Sequence, residues 1–194
     1  MKTLKTLRSK FAAFTLIELL VVISIIAVLA SLALPAVTGA LTKGQITQTT
    51  SNYRQLYVLT QAASLDSQQG GGPGAFPGDL SGSGANWSNA LTSNNAYCSS
   101  NTFANLYNVK GTSSNSLYWN VSSSSEPNSV FITVKGVTGS SNSISYDGTG
   151  PYLAKGGAVV TVGGSAVSFI SANSAVLTNG SVTGGTNTAG LSSF

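Results

Sequence analysis

From residue 14 to residue 34 the chain is apolar on all sides of a helical projection, and Glu18 is the one charge in the run. A run of that length can cross a bilayer, and hydrophobicity all round a helix marks a span rather than a soluble amphipathic element. Pro35 has no amide donor and crowds the preceding turn, so a kink or local melting is expected there. Gly39 and Gly44 soften the next turns. The pattern then becomes one-sided. Ile46, Tyr53, Leu56, Tyr57 and Ala63 share a face at helical spacing, while Gln45, Gln48, Ser51, Gln55 and Gln61 lie largely elsewhere. These positions predict one helix continuing to about Ser67, its stripe packed on a C-terminal domain. Gln69-Gly-Gly-Gly-Pro-Gly ends it.

Beyond the helix the pattern changes twice. Residues 69–116 read as a variable, loop-rich region, anchored by Trp87, Tyr97, Phe103 and Tyr107, with helical potential around residues 101–108. Residues 117–177 carry strand signals at 117–121, 130–134, 144–146, 158–162, 165–170 and 175–177, mostly rich in β-branched and aromatic side chains. Gly163-Gly164 suits a two-residue hairpin turn. The sheet is expected to set one face on the helix and one towards solvent. Residues 178–194 form a weakly structured Gly/Thr/Asn/Ser tail. The expected architecture is α+β: a long N-terminal helix, membrane-spanning over 14–37 and amphipathic over 38–68, on a small antiparallel sheet.

Charge refines this picture. Lys2, Lys5, Arg8 and Lys10 precede the span with no acid among them, and the first charge beyond it is Lys43. That bias places the N-terminus in the cytoplasm and the C-terminal bulk outside. A secretory signal has its small-residue cleavage site after the apolar segment. Here Ala12 and Ala13 come before it, so cutting after Ala13 would remove the basic leader 1–13 and keep the anchor. The rest of the chain then holds five basic side chains against five acidic ones, which leaves no basic patch for nucleic acid. Charged residues are 7% of the chain, far under the usual quarter, so a neutral skin of Ser, Thr, Asn and Gly does the solvating. Cys98 is alone, which rules out an intrachain disulfide. With no His, Ser–His–Asp, Cys–His and His-ligated zinc sites are excluded, and no enzymatic activity is expected.

An acid inside a span costs at least ~2.5 kcal/mol on insertion scales, so Glu18 should have a partner. The segment Phe14-Thr-Leu-Ile-Glu-Leu-Leu-Val-Val-Ile-Ser-Ile-Ile-Ala-Val-Leu-Ala, with its basic flank and Pro35, resembles the processing and methylation segment of type IV pilins and type II secretion pseudopilins. The resemblance covers about residues 8–37. It implies that a prepilin peptidase cuts between Ala13 and Phe14 and methylates the new Phe14 amine, and it makes Glu18 the fifth mature residue. The family usually carries Gly where this chain has Ala13. Cleavage creates a cation at Phe14. In a stack of subunits Glu18 of one can neutralise the N-terminus of another, and in low dielectric a misplaced subunit leaves both unpaired. The partners implied are prepilin peptidase, membrane lipid, other pilin or pseudopilin subunits in a homo-polymer, and an inner-membrane assembly machinery. The implied location is the inner (cytoplasmic) membrane, single-pass, in a pilus or pseudopilus.

Three functions compete. The first is a filament subunit: a type II secretion pseudopilin working in protein export, favoured by the missing disulfide pair and the Phe76-Pro-Gly-Asp79 loop, or a type IV pilin of a surface fibre. The second is a tethered binding module that never polymerises, with Trp87 and Trp119 as the candidates to stack on sugars; core packing is the preferred reading of both Trp residues. The third, an enzyme, lacks a base. Asp79 and Asp147 are the acids that calcium would use, yet the full set of ligands is not visible and Asp-Gly is ordinary turn chemistry. No cofactor is therefore expected. Asn86, Asn120 and Asn179 begin glycosylation sequons, and the glycine run 70–74 lacks the Lys-Ser/Thr of a phosphate loop.

Overall fold

The computed structural model describes residues 14–80, 84–108, 115–118, 121–140, 143–146, 151–152, 156–169, 177–178 and 186–187. Helix α1 covers Leu16–Gln69. The chain divides into two units, Met1–Leu41 and Thr42–Phe194. In the first unit almost every described side chain of α1 is exposed, as in a span lifted out of its lipid. The backbone is helical through Pro35 and on either side of it. The melting expected there is absent from the single chain.

The second unit contains the rest of α1. Its buried positions are Ile46, Thr49, Tyr53, Leu56, Thr60, Ala63 and Ser64, mostly at alternating steps of three and four. The stripe therefore includes hydroxyls that hydropathy alone passed over. Each remains satisfied: Thr60 Oγ1 donates to the Leu56 carbonyl (2.8 Å) and accepts from Trp87 Nε1 (3.0 Å), and Thr49 Oγ1 bonds the Tyr152 hydroxyl. The helix closes on the glycine run. Gly71 takes φ +76°, the Gly72 amide donates to the Ser67 carbonyl (2.9 Å) and the Gly71 amide to Gln68 (3.0 Å). This is a Schellman cap, which needs a residue free to enter the left-handed region.

Residues 84–107, read as mostly loop, contain two helices. Helix α2 is Gly84–Thr92, followed by a 3-10 turn at Ser93–Asn95, and α3 is Ser100–Tyr107. Their Gly, Asn and Ser residues are poor helix formers, and tertiary packing decides. Trp87 and Leu91, four apart on α2, are both fully buried, and so is Phe103 on α3, with Tyr107 nearly so. Trp87 meets Phe103 and Phe131 edge-on at 5.2 and 5.5 Å.

The strands form two antiparallel sheets instead of one. Strands β1 (Asn115–Tyr118), β2 (Val130–Val134), β3 (Val137–Ser140), β4 (Ser143–Tyr146), β5 (Gly157–Thr161), β6 (Ala166–Phe169), β7 (Leu177–Thr178) and β8 (Thr186–Asn187) are arranged as β6-β5-β2-β1-β8 and β3-β4-β7. β2 and β5 lie where expected. β1 starts two residues early, and β3 and β8 were not foreseen, being short and rich in Ser, Thr, Gly and Asn. The expected solvent face is also corrected: all five residues of β2 and all five of β5 are buried. Those strands are near-continuous apolar runs, the signature of strands covered on both sides. A register shift between Val130 and Ile132 marks a bulge, which aims Phe131 at Phe76 (5.2 Å).

The β5–β6 hairpin differs in turn type. The Gly164 amide donates to Thr161 and the Thr161 amide to Ser165, each at 3.0 Å, and only Gly164 of the glycine pair has positive φ (+79°). This is a three-residue loop with a left-handed glycine, not the mirror-image two-residue turn, which needs φ > 0 at both central residues. A Cβ at Gly164 would sit 2.7 Å from the Tyr57 ring, so the hairpin tip is seated against α1.

Candidate functional site

The start of α1 is built by its own residues. Thr15 stands just before the helix and Glu18 three positions on. The Thr15 amide (2.8 Å) and hydroxyl (2.7 Å) both donate to Glu18 Oε2, and the Glu18 amide donates back to Thr15 Oγ1 (3.3 Å). This is a reciprocal capping box. Sequence reasoning singled out Glu18 and missed Thr15, although Thr-x-x-Glu ahead of an apolar run is the signal for the motif. The box gives the acid a local role. It does not explain the charge, since Gln at the third position completes the same motif. Oε1 takes no hydrogen bond from the described residues, and Glu18 is exposed.

No other polar group in the span is left loose. Ser24 donates to the Leu20 carbonyl (2.8 Å), Ser31 to Val28 (2.8 Å) and Thr38 to Pro35 (3.0 Å), which keeps hydroxyls satisfied where lipid offers no partner. Phe14, 76% exposed, lies at the open end of the capping box. Ala13, the other side of the expected cut, lies outside the described residues.

The remaining candidates separate into structural parts. Asp79 Oδ2 accepts from the Ser123 amide (2.9 Å) and the Phe76 amide (3.3 Å), while the Gly78 amide donates to Val121 (2.7 Å). The Phe-Pro-Gly-Asp loop is thereby fastened to Val121 and Ser123. Asp147 and Trp119 lie outside the described residues, as do Asn120 and Asn179. Trp87 is fully buried, in keeping with its reading as a core residue and against the rival one as a sugar platform. Asn86 is exposed, but Ser88 of its sequon is 1% exposed on the same helix. Cys98 is half-buried, and burial pushes its thiol up from the ordinary value.

Residues 8–34 match the family described as the prokaryotic N-terminal methylation motif. The matched stretch contains Arg8 and Lys10 of the basic flank, the expected cut, Thr15, Glu18 and most of the span. No significant match was found among the curated proteins or the solved structures. The match is the prepilin-type signal, and with the long helix on an antiparallel sheet it supports a pilin-like filament subunit; the motif implies processing by prepilin peptidase and assembly with other pilin-type subunits. The motif indicates a structural subunit.

Proposed function

We propose that this chain is the subunit of a membrane-anchored helical filament of the type II secretion kind, a pseudopilin whose short fibre takes part in protein export. The observation that carries this reading is the division of α1: about sixteen large apolar side chains on the first unit are exposed in the single chain, whereas the second half buries one stripe in its own domain. An exposed apolar helix suits lipid before assembly and the helices of neighbouring subunits afterwards. Glu18 then meets the Phe14 amine of a neighbour, with Oε1 available while Oε2 holds the cap. Helix melting near Pro35 belongs to the assembled state, where packing can compensate for the bonds lost. The N-terminus is cytoplasmic and the second unit lies outside.

The secretion version is supported by the lone cysteine and by the Phe76–Asp79 loop, which is held by a carboxylate instead of a disulfide. A long surface fibre is the second reading, favoured by the neutral polar surface. Mass spectrometry should find a mature chain beginning at methylated Phe14. Deleting the gene should stop release of folded exported proteins and leave surface fibres in place. Loss of surface fibres with export unchanged would shift the assignment to a pilin. A mature protein starting at Met1 would reject both.

A further inference from the structure

Beside α1 in the second unit runs a groove of about 460 Å³, lined mainly by Arg54, Val58, Leu59, Tyr97, Cys98 and Leu106. Val58 is 56% exposed. It and Leu65 are the large apolar side chains of this unit left most open among the described residues. Arg54 has no ion pair among them. On another part of the same unit, Glu126, Pro127 and Asn128 are exposed in a row. This loop is preorganised: the Ser125 amide donates to Ser122 (3.0 Å) and the Ser129 amide to Glu126 (2.9 Å), and Pro127 fixes its own φ. The other described acids of the unit are engaged, Asp66 by the Tyr97 hydroxyl (2.8 Å) and Asp79 by two amides. Glu126 alone among them holds a free carboxylate, as Arg54 holds a free guanidinium.

We propose that the groove beside Arg54 receives the Glu126–Asn128 loop of a second copy of this chain, with Pro127 against Val58 and Leu59 and Glu126 against Arg54. The assignment rests on the filament reading above. The loop lies by Gly163 of the hairpin, whose Gly164 abuts Tyr57. On a helix of 3.6 residues per turn Val58 and Leu59 lie about 100° and 200° round from Tyr57, so the apolar part of the groove turns away from the loop, while Arg54, about 60° from Tyr57, stands at the groove's near edge beside Ala166 and Ser168. A contact joining two different surfaces is heterologous and propagates from copy to copy, which a filament requires and a closed dimer does not. The groove is shallow and its charge pair is exposed. It sets which flank meets which, and the apolar helices hold the copies together.

Cys98 is the only cysteine and lines the groove, so the test is direct. In fibres of the full chain, Asn128→Cys should link to Cys98 of the neighbour through a short bis-maleimide and give a ladder of multimers on a denaturing gel. The same variant carrying Cys98→Ser should give no ladder. Arg54→Glu and Glu126→Arg should each lower fibre yield about fivefold, the range of one exposed charge contact, and the double variant should restore it. Fibres without the Cys98-dependent ladder, or a double variant no better than the singles, would overturn the groove assignment and leave the filament reading standing. A wild-type chain that forms no fibres would overturn both.

Discussion

Replacing Glu18 with Gln keeps an oxygen for the Thr15 amide and hydroxyl and removes the charge. Glu18→Ala removes both, and with them the carboxylate half of the cap at the helix start. The two variants therefore separate the local role of this residue from its role between subunits. Glu18→Gln should insert into the membrane at wild-type levels, because an uncharged amide is cheaper in lipid than a carboxylate. Its fibre yield should fall as far as that of Glu18→Ala, because neither can neutralise a neighbour's Phe14 amine. Counting fibres against membrane-bound subunit for the three proteins is the measurement. Wild-type fibre yield from Glu18→Gln would mean that the cap, and not the charge, is what assembly needs.

At the scale of elements, a buried hydrogen bond joins α1 to α2. Trp87 Nε1 donates to Thr60 Oγ1 with both side chains at 0% exposure. Thr60→Val keeps the shape and strands a buried donor, so the domain should lose about 1–3 kcal/mol in denaturant unfolding. Thr60→Ser keeps the oxygen and should lose less; equal losses would mean that the methyl packing matters and the bond does not. The same joint shows what could be read in the sequence and what could not. The long helix, its glycine stop and strands β2 and β5 were legible because period and length left one choice. α2 was not: Gly84-Ala-Asn-Trp-Ser-Asn-Ala-Leu-Thr reads as loop until Trp87 and Leu91 find a core to fill. The buried Thr49 and Thr60 were illegible because hydropathy ranks them as surface, and only their partners Tyr152 and Trp87 make burial acceptable. At the site, Glu18 was conspicuous as a misplaced charge, whereas Thr15 looked like any small polar residue beside it.

For the molecule as a whole, the two units differ in what water does to them. Among the described residues, large exposed apolar side chains crowd residues 14–41, and only Val58 and Leu65 of that kind lie beyond. The second unit has its own core, running from Ile46 on α1 through Trp87 and Phe103 to β2 and β5. Residues 42–194 alone should therefore fold and stay monomeric at micromolar concentration, because a single groove contact is weak without the high local concentration that anchored helices provide. Light scattering is the check, and a stable oligomer would move the main assembly interface onto this domain. The same fragment should also weaken in alkali. Burial raises the Tyr53 phenol, helped by its neighbours Tyr107 and Tyr152; it pushes Tyr107 up to about 12 and raises Tyr152 too. A phenol that ionises later in the folded chain keeps its proton where the unfolded chain has lost it. Its contribution is complete below the unfolded value of 10.0 and disappears as pH climbs through the folded value. Unfolding midpoints in urea should stay flat on this account up to about pH 9 and fall from about pH 10 to 12, and Tyr107→Phe should flatten part of that fall. An unchanged slope in Tyr107→Phe would place the alkaline sensitivity elsewhere in the domain.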